Sequence, residues 1–126
     1  MIKSLKLFGN IFLLATLLFS CKKENTNAKD ELEMVYLNVQ IEAGNMYYLH
    51  LNTYANSQDI ITVAKQATSF DVSEIIKTEL KSTYHFKRNK DQKIGTNKET
   101  VLLKIYEPRN GIHCEKTEII INFTII

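Results

Sequence analysis

Glycine is scarce in this 126-residue chain, with four residues at positions 9, 44, 95 and 111, beside a single proline. A phosphate-cradling loop or a dinucleotide fingerprint needs closely spaced glycines, so neither is present. No G-x-S-x-G elbow occurs. Two cysteines and three histidines (His50, His85, His113) are the softer metal-ligand types, and none fall at C-x-x-C or H-x-x-x-H spacing. His113 and Cys114 are adjacent, which on a strand points them to opposite faces. Ser, Cys, His and acids all occur, yet no pattern couples them into a nucleophilic set. These gaps predict no catalytic residues, no cofactor and no metal. An apolar run long enough to span a bilayer, about 20 residues, is also missing.

What the chain does have begins at its N-terminus. Lys3 and Lys6 form a positive leader, and Leu7 to Phe19 is an apolar stretch interrupted by Gly9, Asn10 and Thr16. That layout is a secretory signal, too short to be a membrane span. Leu18-Phe19-Ser20-Cys21 resembles the lipobox of bacterial lipoproteins, in which a Leu stands three residues before an obligate Cys and a small residue just ahead of it. Phe19 is bulkier than the usual residue there. The resemblance implies cleavage after Ser20, a diacylglycerol thioether on Cys21, and acylation (palmitate or a similar chain) of the new amine. One acyl chain holds only marginally to a membrane, whereas two or three anchor it stably.

Removing residues 1–20 removes Lys3 and Lys6 and leaves 14 bases against 14 acids. The remainder is formally neutral, so no global basic field favours nucleic acid as a partner. With Cys21 consumed by lipid, Cys114 is expected to be unpaired and the domain to have no disulfide. Lys22 to Glu33 is polar and aperiodic, the composition of a flexible tether. Three segments follow: signal 1–20, lipidated N-terminus and disordered tether 21–33, and a domain 34–126.

From Met34 the pattern has period two. Val35, Leu37, Val39 and Ile41 alternate with Tyr36, Asn38, Gln40 and Glu42, the mark of a half-buried strand. Gly44-Asn45 is turn chemistry, and a second alternation runs through Tyr47, Leu49 and Leu51. The two strands are expected to pair as a hairpin through Gly44-Asn45-Met46, setting Tyr36 beside Tyr54 and Gln40 beside His50 on the outer face. Ile60 to Lys65 and Thr68 to Val72 read as short strands. Ser73 to Ser82 fits either a helical turn or a strand, and β-branched and aromatic content favours strand from about Glu79 to Lys87. Arg88 to Lys98 is a basic loop, Thr100 to Glu107 a strand, Pro108 to Gly111 a turn, and Thr117 to Ile125 the last strand, either central or at an edge.

Short strands separated by turns predict an all-β fold, an immunoglobulin-like antiparallel β-sandwich of about seven strands. Tyr84-His85-Phe86, a loop with Gly95, then Thr100 to Ile105 resembles the C-terminal part of bacterial immunoglobulin-like and cadherin-like modules. Lys87-Arg88 and Asn97 stand where those modules have Pro and Asp, so their Asp-dependent calcium site is not carried over. The resemblances together imply a lipoprotein in the envelope of a Gram-negative bacterium, anchored at the outer membrane through Cys21. Its role is expected to be a non-enzymatic binding or structural accessory for an envelope protein or glycan. The alternative is a periplasmic inhibitor or assembly subunit that inserts a loop or adds a strand. The candidate binding face is Tyr36, Tyr48, His50 and Tyr54, whose aromatic rings suit ligand stacking, although tyrosine also suits any half-exposed sheet face.

Overall fold

The computed structural model describes Cys21, residues 32–90 and residues 97–126. The expected signal segment, most of the expected tether and the centre of the expected basic loop therefore lie outside the described residues. Every regular element among the described residues is a strand: β1 (Glu33–Ile41), β2 (Met46–His50), β3 (Ile60–Lys65), β4 (Val72–Lys77), β5 (Ser82–Lys87), β6 (Lys98–Arg109) and β7 (Ile112–Ile125). They form a four-stranded sheet in the order β1-β7-β6-β3 and a three-stranded sheet in the order β2-β5-β4.

That partition is the Greek-key arrangement of immunoglobulin-like sandwiches, with the first strand placed on the sheet of the last. β1 runs parallel to β7, Val35 opposite Ile119 and Val39 opposite Phe123, while all other pairs are antiparallel. The all-antiparallel expectation is corrected at that one pair.

Alternation decides which side chains meet. Val101, Leu103 and Ile105 of β6 and Ile119, Ile121 and Phe123 of β7 are buried, as are Tyr84 and Phe86 of β5. Phe123 bridges the sheets: its ring stacks on Phe86 at 4.1 Å and meets the edge of Tyr47 at 5.3 Å. Aromatic pairs of this kind add about 0.5–1.5 kcal/mol each beyond their buried area.

The expected β1–β2 hairpin is not formed. β2 pairs with β5, and the Gly44 turn is a corner between sheets, with Asn45 N–H donating to Glu42 O at 3.1 Å and Gly44 N–H to Arg88 O at 2.9 Å. Two consecutive strands with inward apolar faces are equally satisfied side by side or facing each other across the core; period two fixes the face, not the partner. Thr68 to Asp71 is irregular rather than strand, and Ser73 lies in β4, so no helical turn forms there. The last strand is central, hydrogen-bonded to β1 and β6.

At the β6–β7 connection, pairing continues through Pro108 and Arg109, leaving a two-residue turn, Asn110-Gly111, with φ of 49° and 81°. Positive φ at both central residues is the hairpin turn that Asn-Gly favours. β3 stops opposite Tyr106, so Pro108 lies where β6 has a partner on one side only, a position proline tolerates.

Strand directions place this turn, the start of β1, the 51–59 connection and the β4–β5 turn at one end of the sandwich. Cys21 is at the same end. It is joined to Cys114 by a disulfide spanning 93 positions, with Cα atoms 5.4 Å apart. The expectation that Cys114 has no partner is thereby overturned. That expectation followed from giving the sulfur of Cys21 to lipid, and no sequence pattern brings positions 21 and 114 together.

Candidate functional site

The outer face of the three-stranded sheet is built by the side chains that alternate with the core. Tyr47 and Leu49 of β2 pack inward, so Tyr48 and His50 point out. Register then sets Tyr48 opposite His85 and His85 opposite Glu74, giving one row across all three strands. The next row is His50, Thr83 and Ile76. Tyr48 is 54% exposed and its ring meets His85 edge-on at 4.8 Å. A tyrosine and an imidazole beside a carboxylate offer a stacking plane, hydrogen-bond donors and one acceptor charge.

Of the four residues expected on one binding face, the structure keeps Tyr48 and His50 together and separates the others. Tyr36 is on the opposite side of the sandwich, 67% exposed, in a row with Ile120 and Leu102. Tyr54 follows the end of β2, where the chain turns; its amide donates to Leu51 O at 2.9 Å and its side chain packs on the core. The phase of β2 is lost at that turn, so the alternation that placed Tyr54 outward does not reach it. Burial, with Tyr54 adding to it, pushes the Tyr47 hydroxyl above its usual range.

Beside Tyr48, sequence reasoning missed Glu74 and did not connect His85 to the face. Alternation of Ser82, Tyr84 and Phe86 inward was enough to place His85 outward. Which strands flank β5 was not visible in any local signal.

At the Cys21 end, two strands and a loop converge on Asp59, which is 2% exposed. Its Oδ2 accepts from the Asn56 amide at 2.7 Å and lies 2.6 Å from Lys116 Nζ, and its carbonyl accepts from Lys77 Nζ at 2.6 Å. Lys77 belongs to the three-stranded sheet and Lys116 to the four-stranded one, so Asp59 ties the two. Nearby, Lys104 Nζ lies 3.7 Å from both Glu115 and Glu118. Burial, the hydrogen bond with Glu118 and its charge push the Glu115 carboxyl up, against the opposing pull of Lys104.

Elsewhere a buried carboxylate organises the chain leading into β4. Glu99 accepts from Thr68 N–H at 2.6 Å and Thr68 Oγ1 at 2.5 Å, pinning the connection into β4. Among the described residues no group of His, Cys, Asp and Glu converges into a set able to hold a metal ion. A shallow notch of about 120 Å³ between the 52–57 and 78–82 segments is lined by small and polar side chains, by the charged Glu79 and Lys81, and by Leu80. Comparison of the chain with models of known protein families finds none that matches, and comparison with curated proteins finds no similar one.

Proposed function

We propose that this chain is a lipid-anchored protein of the Gram-negative cell envelope, held at the outer membrane through Cys21. Its β-sandwich is a non-enzymatic binding or structural accessory module. The observation that carries the anchor is Leu18-Phe19-Ser20-Cys21 following a positive leader and a short apolar stretch. The binding role rests on the outer face of the three-stranded sheet, where Tyr48, His50, His85 and Glu74 share two adjacent rows on a rigid support. Aromatic rings presented on a sheet suit a glycan or an envelope protein.

The thioether and the Cys21–Cys114 disulfide use the same sulfur and exclude each other. The anchored chain therefore carries Cys114 as a thiol, and its sandwich is held together without a disulfide. The strand-adding form of the alternative role would draw support from an unpaired final strand, and β7 is paired on both sides.

The test is a pull-down from membranes with wild-type chain, Cys21→Ala, and the wild-type anchor bearing Tyr48→Ala with His85→Ala. Wild type is expected in the membrane fraction with lipid mass on Cys21, and Cys21→Ala in the soluble fraction. A partner kept by the first two and lost by the double variant places binding on this face. A wild-type chain without lipid, or a partner indifferent to the double variant, rejects the corresponding half of the reading.

A further inference from the structure

Cys21 is seated on the sandwich by more than its sulfur. Its carbonyl accepts a hydrogen bond from Arg109 Nη1 at 2.9 Å, and Arg109 is itself held by an ion pair with Glu107. Glu107 is the cross-strand partner of Cys114, so the seat and the second sulfur belong to one hairpin end, closed by the Asn110-Gly111 turn. Cys114 is 2% exposed yet is not part of the main core cluster.

We infer that Cys114 is a second acceptor for Cys21, so that the chain partitions between two exclusive N-terminal linkages. In one, the Cys21 sulfur is a thioether to lipid and Cys114 is a thiol. In the other, a chain that escapes acylation is closed by the Cys21–Cys114 disulfide, with its N-terminal junction clamped against the hairpin end. The first half rests on the anchor reading above; the second rests only on the geometry of the sandwich.

The closing step balances as thiol–disulfide exchange. The thiolate of one cysteine attacks a disulfide of an oxidant, such as a dithiol oxidoreductase or oxidised glutathione, and forms a mixed disulfide while releasing one thiol. The other cysteine then displaces the second oxidant thiol and completes the internal bond. Two electrons pass to the oxidant and two protons leave the chain. Once made, the bond removes the nucleophile that lipid transfer requires, so closure and anchoring compete for the same nascent chain.

The test uses the full 126-residue chain in two preparations. In the first, it is made without any lipid-transfer enzyme, held in detergent, and equilibrated with a reduced and oxidised glutathione mixture. The expected product is lighter by two hydrogen atoms, with no thiol reactive after denaturation and one peptide pair linking positions 21 and 114. Cys114→Ser should instead collect one glutathione on Cys21. Arg109→Ala should close more slowly and show more mixed disulfide, because the junction is no longer held. Two glutathione adducts or two free thiols in the native wild type overturn the inference.

In the second preparation, the chain is extracted from bacterial membranes. Lipid mass with one thiol at Cys114 is expected. No lipid and no thiol would reject the anchor and leave the disulfide standing. Lipid here, with no closure in the first preparation, would reject the second acceptor and leave the anchor standing.

Discussion

Lys116 Nζ lies 2.6 Å from a carboxylate oxygen of Asp59, and the two partners differ sharply in burial: the Lys116 side chain keeps 22% of its surface, Asp59 only 2%. The aspartate is thus the member that cannot return to water, and it is held by the Asn56 amide as well. Removing the cation leaves a buried charge unpaired, a change that costs about 3–5 kcal/mol for fully buried pairs. With Lys116 partly solvated, Lys116→Met is expected to cost about 3 kcal/mol. Asp59→Asn keeps an acceptor for Asn56 and leaves a lysine that can reach solvent, so it should cost less, about 1–2 kcal/mol. Urea denaturation of the two single variants and the double variant measures this. A Lys116→Met effect no larger than that of Asp59→Asn would show that the aspartate is not the trapped partner.

Core and face can be separated by one pair of substitutions. Phe123 touches both Phe86 and Tyr47 and is 1% exposed, whereas Tyr48, next to Tyr47 in sequence, is 54% exposed. Phe123→Ala should cost about 3–5 kcal/mol. Tyr48→Ala should change stability by no more than about 0.5 kcal/mol, the usual range for surface sites. Partner capture, measured on folded protein, should respond in the opposite order. Equal stability losses would mean that Tyr48 belongs to the scaffold and not to a binding surface.

That contrast also shows what the chain's pattern reveals and what it conceals. The runs at 101–105 and 119–123 carry an apolar residue at every inward position of β6 and β7, and each is buried, although Leu102 and Ile120 are apolar on the outer face as well. They do not identify neighbours. Val35, Leu37 and Val39 read equally well as one half of a hairpin with β2, and their actual partner, β7, lies about 80 positions away in sequence. Tyr54 shows a second limit, because alternation carries no information past the point where a strand turns. Asp59 looks like one more turn residue until Lys77 and Lys116 arrive from two different sheets. The Cys21–Cys114 bond is hidden for the same reason: its two halves become neighbours only through the full topology.

Two glycines with similar backbone angles should respond differently to a methyl group. Gly44 has φ of +87° and Gly111 of +81°, a region where an L-residue costs roughly 1–2 kcal/mol. A Cβ at Gly111 meets nothing within 4 Å, so Gly111→Ala carries only that conformational cost. At Gly44 the added carbon would lie 3.2 Å from Lys90 Cβ, an atom close to the backbone with little freedom to retreat. Gly44→Ala is therefore expected to be the more destabilising of the two by denaturant midpoint. Equal midpoints would mean that the 88–90 segment yields at no cost.

Tyr84 gives the sandwich a defined alkaline limit. It is fully buried on β5, and its hydroxyl lies 2.6 Å from Ser73 Oγ, which in turn donates to Gln66 Oε1 at 2.5 Å. Burial raises the hydroxyl to about 12, partly offset by the Ser73 hydrogen bond, while Tyr47 adds to the rise. In the unfolded chain the group titrates near its ordinary value, about 10. Between these values the unfolded state releases the proton and the folded state keeps it, so unfolding is favoured as pH rises. The contribution is fully present below about pH 10 and is lost on approaching pH 12, with a total on the order of 3 kcal/mol. Tyr84→Phe removes the titrating group and should flatten this part of the stability curve, with a lower value at neutral pH because Ser73 keeps Gln66 but loses its second partner. Urea melts at pH 8, 10 and 11 for both forms decide it: parallel curves would show that Tyr84 does not carry the alkaline loss.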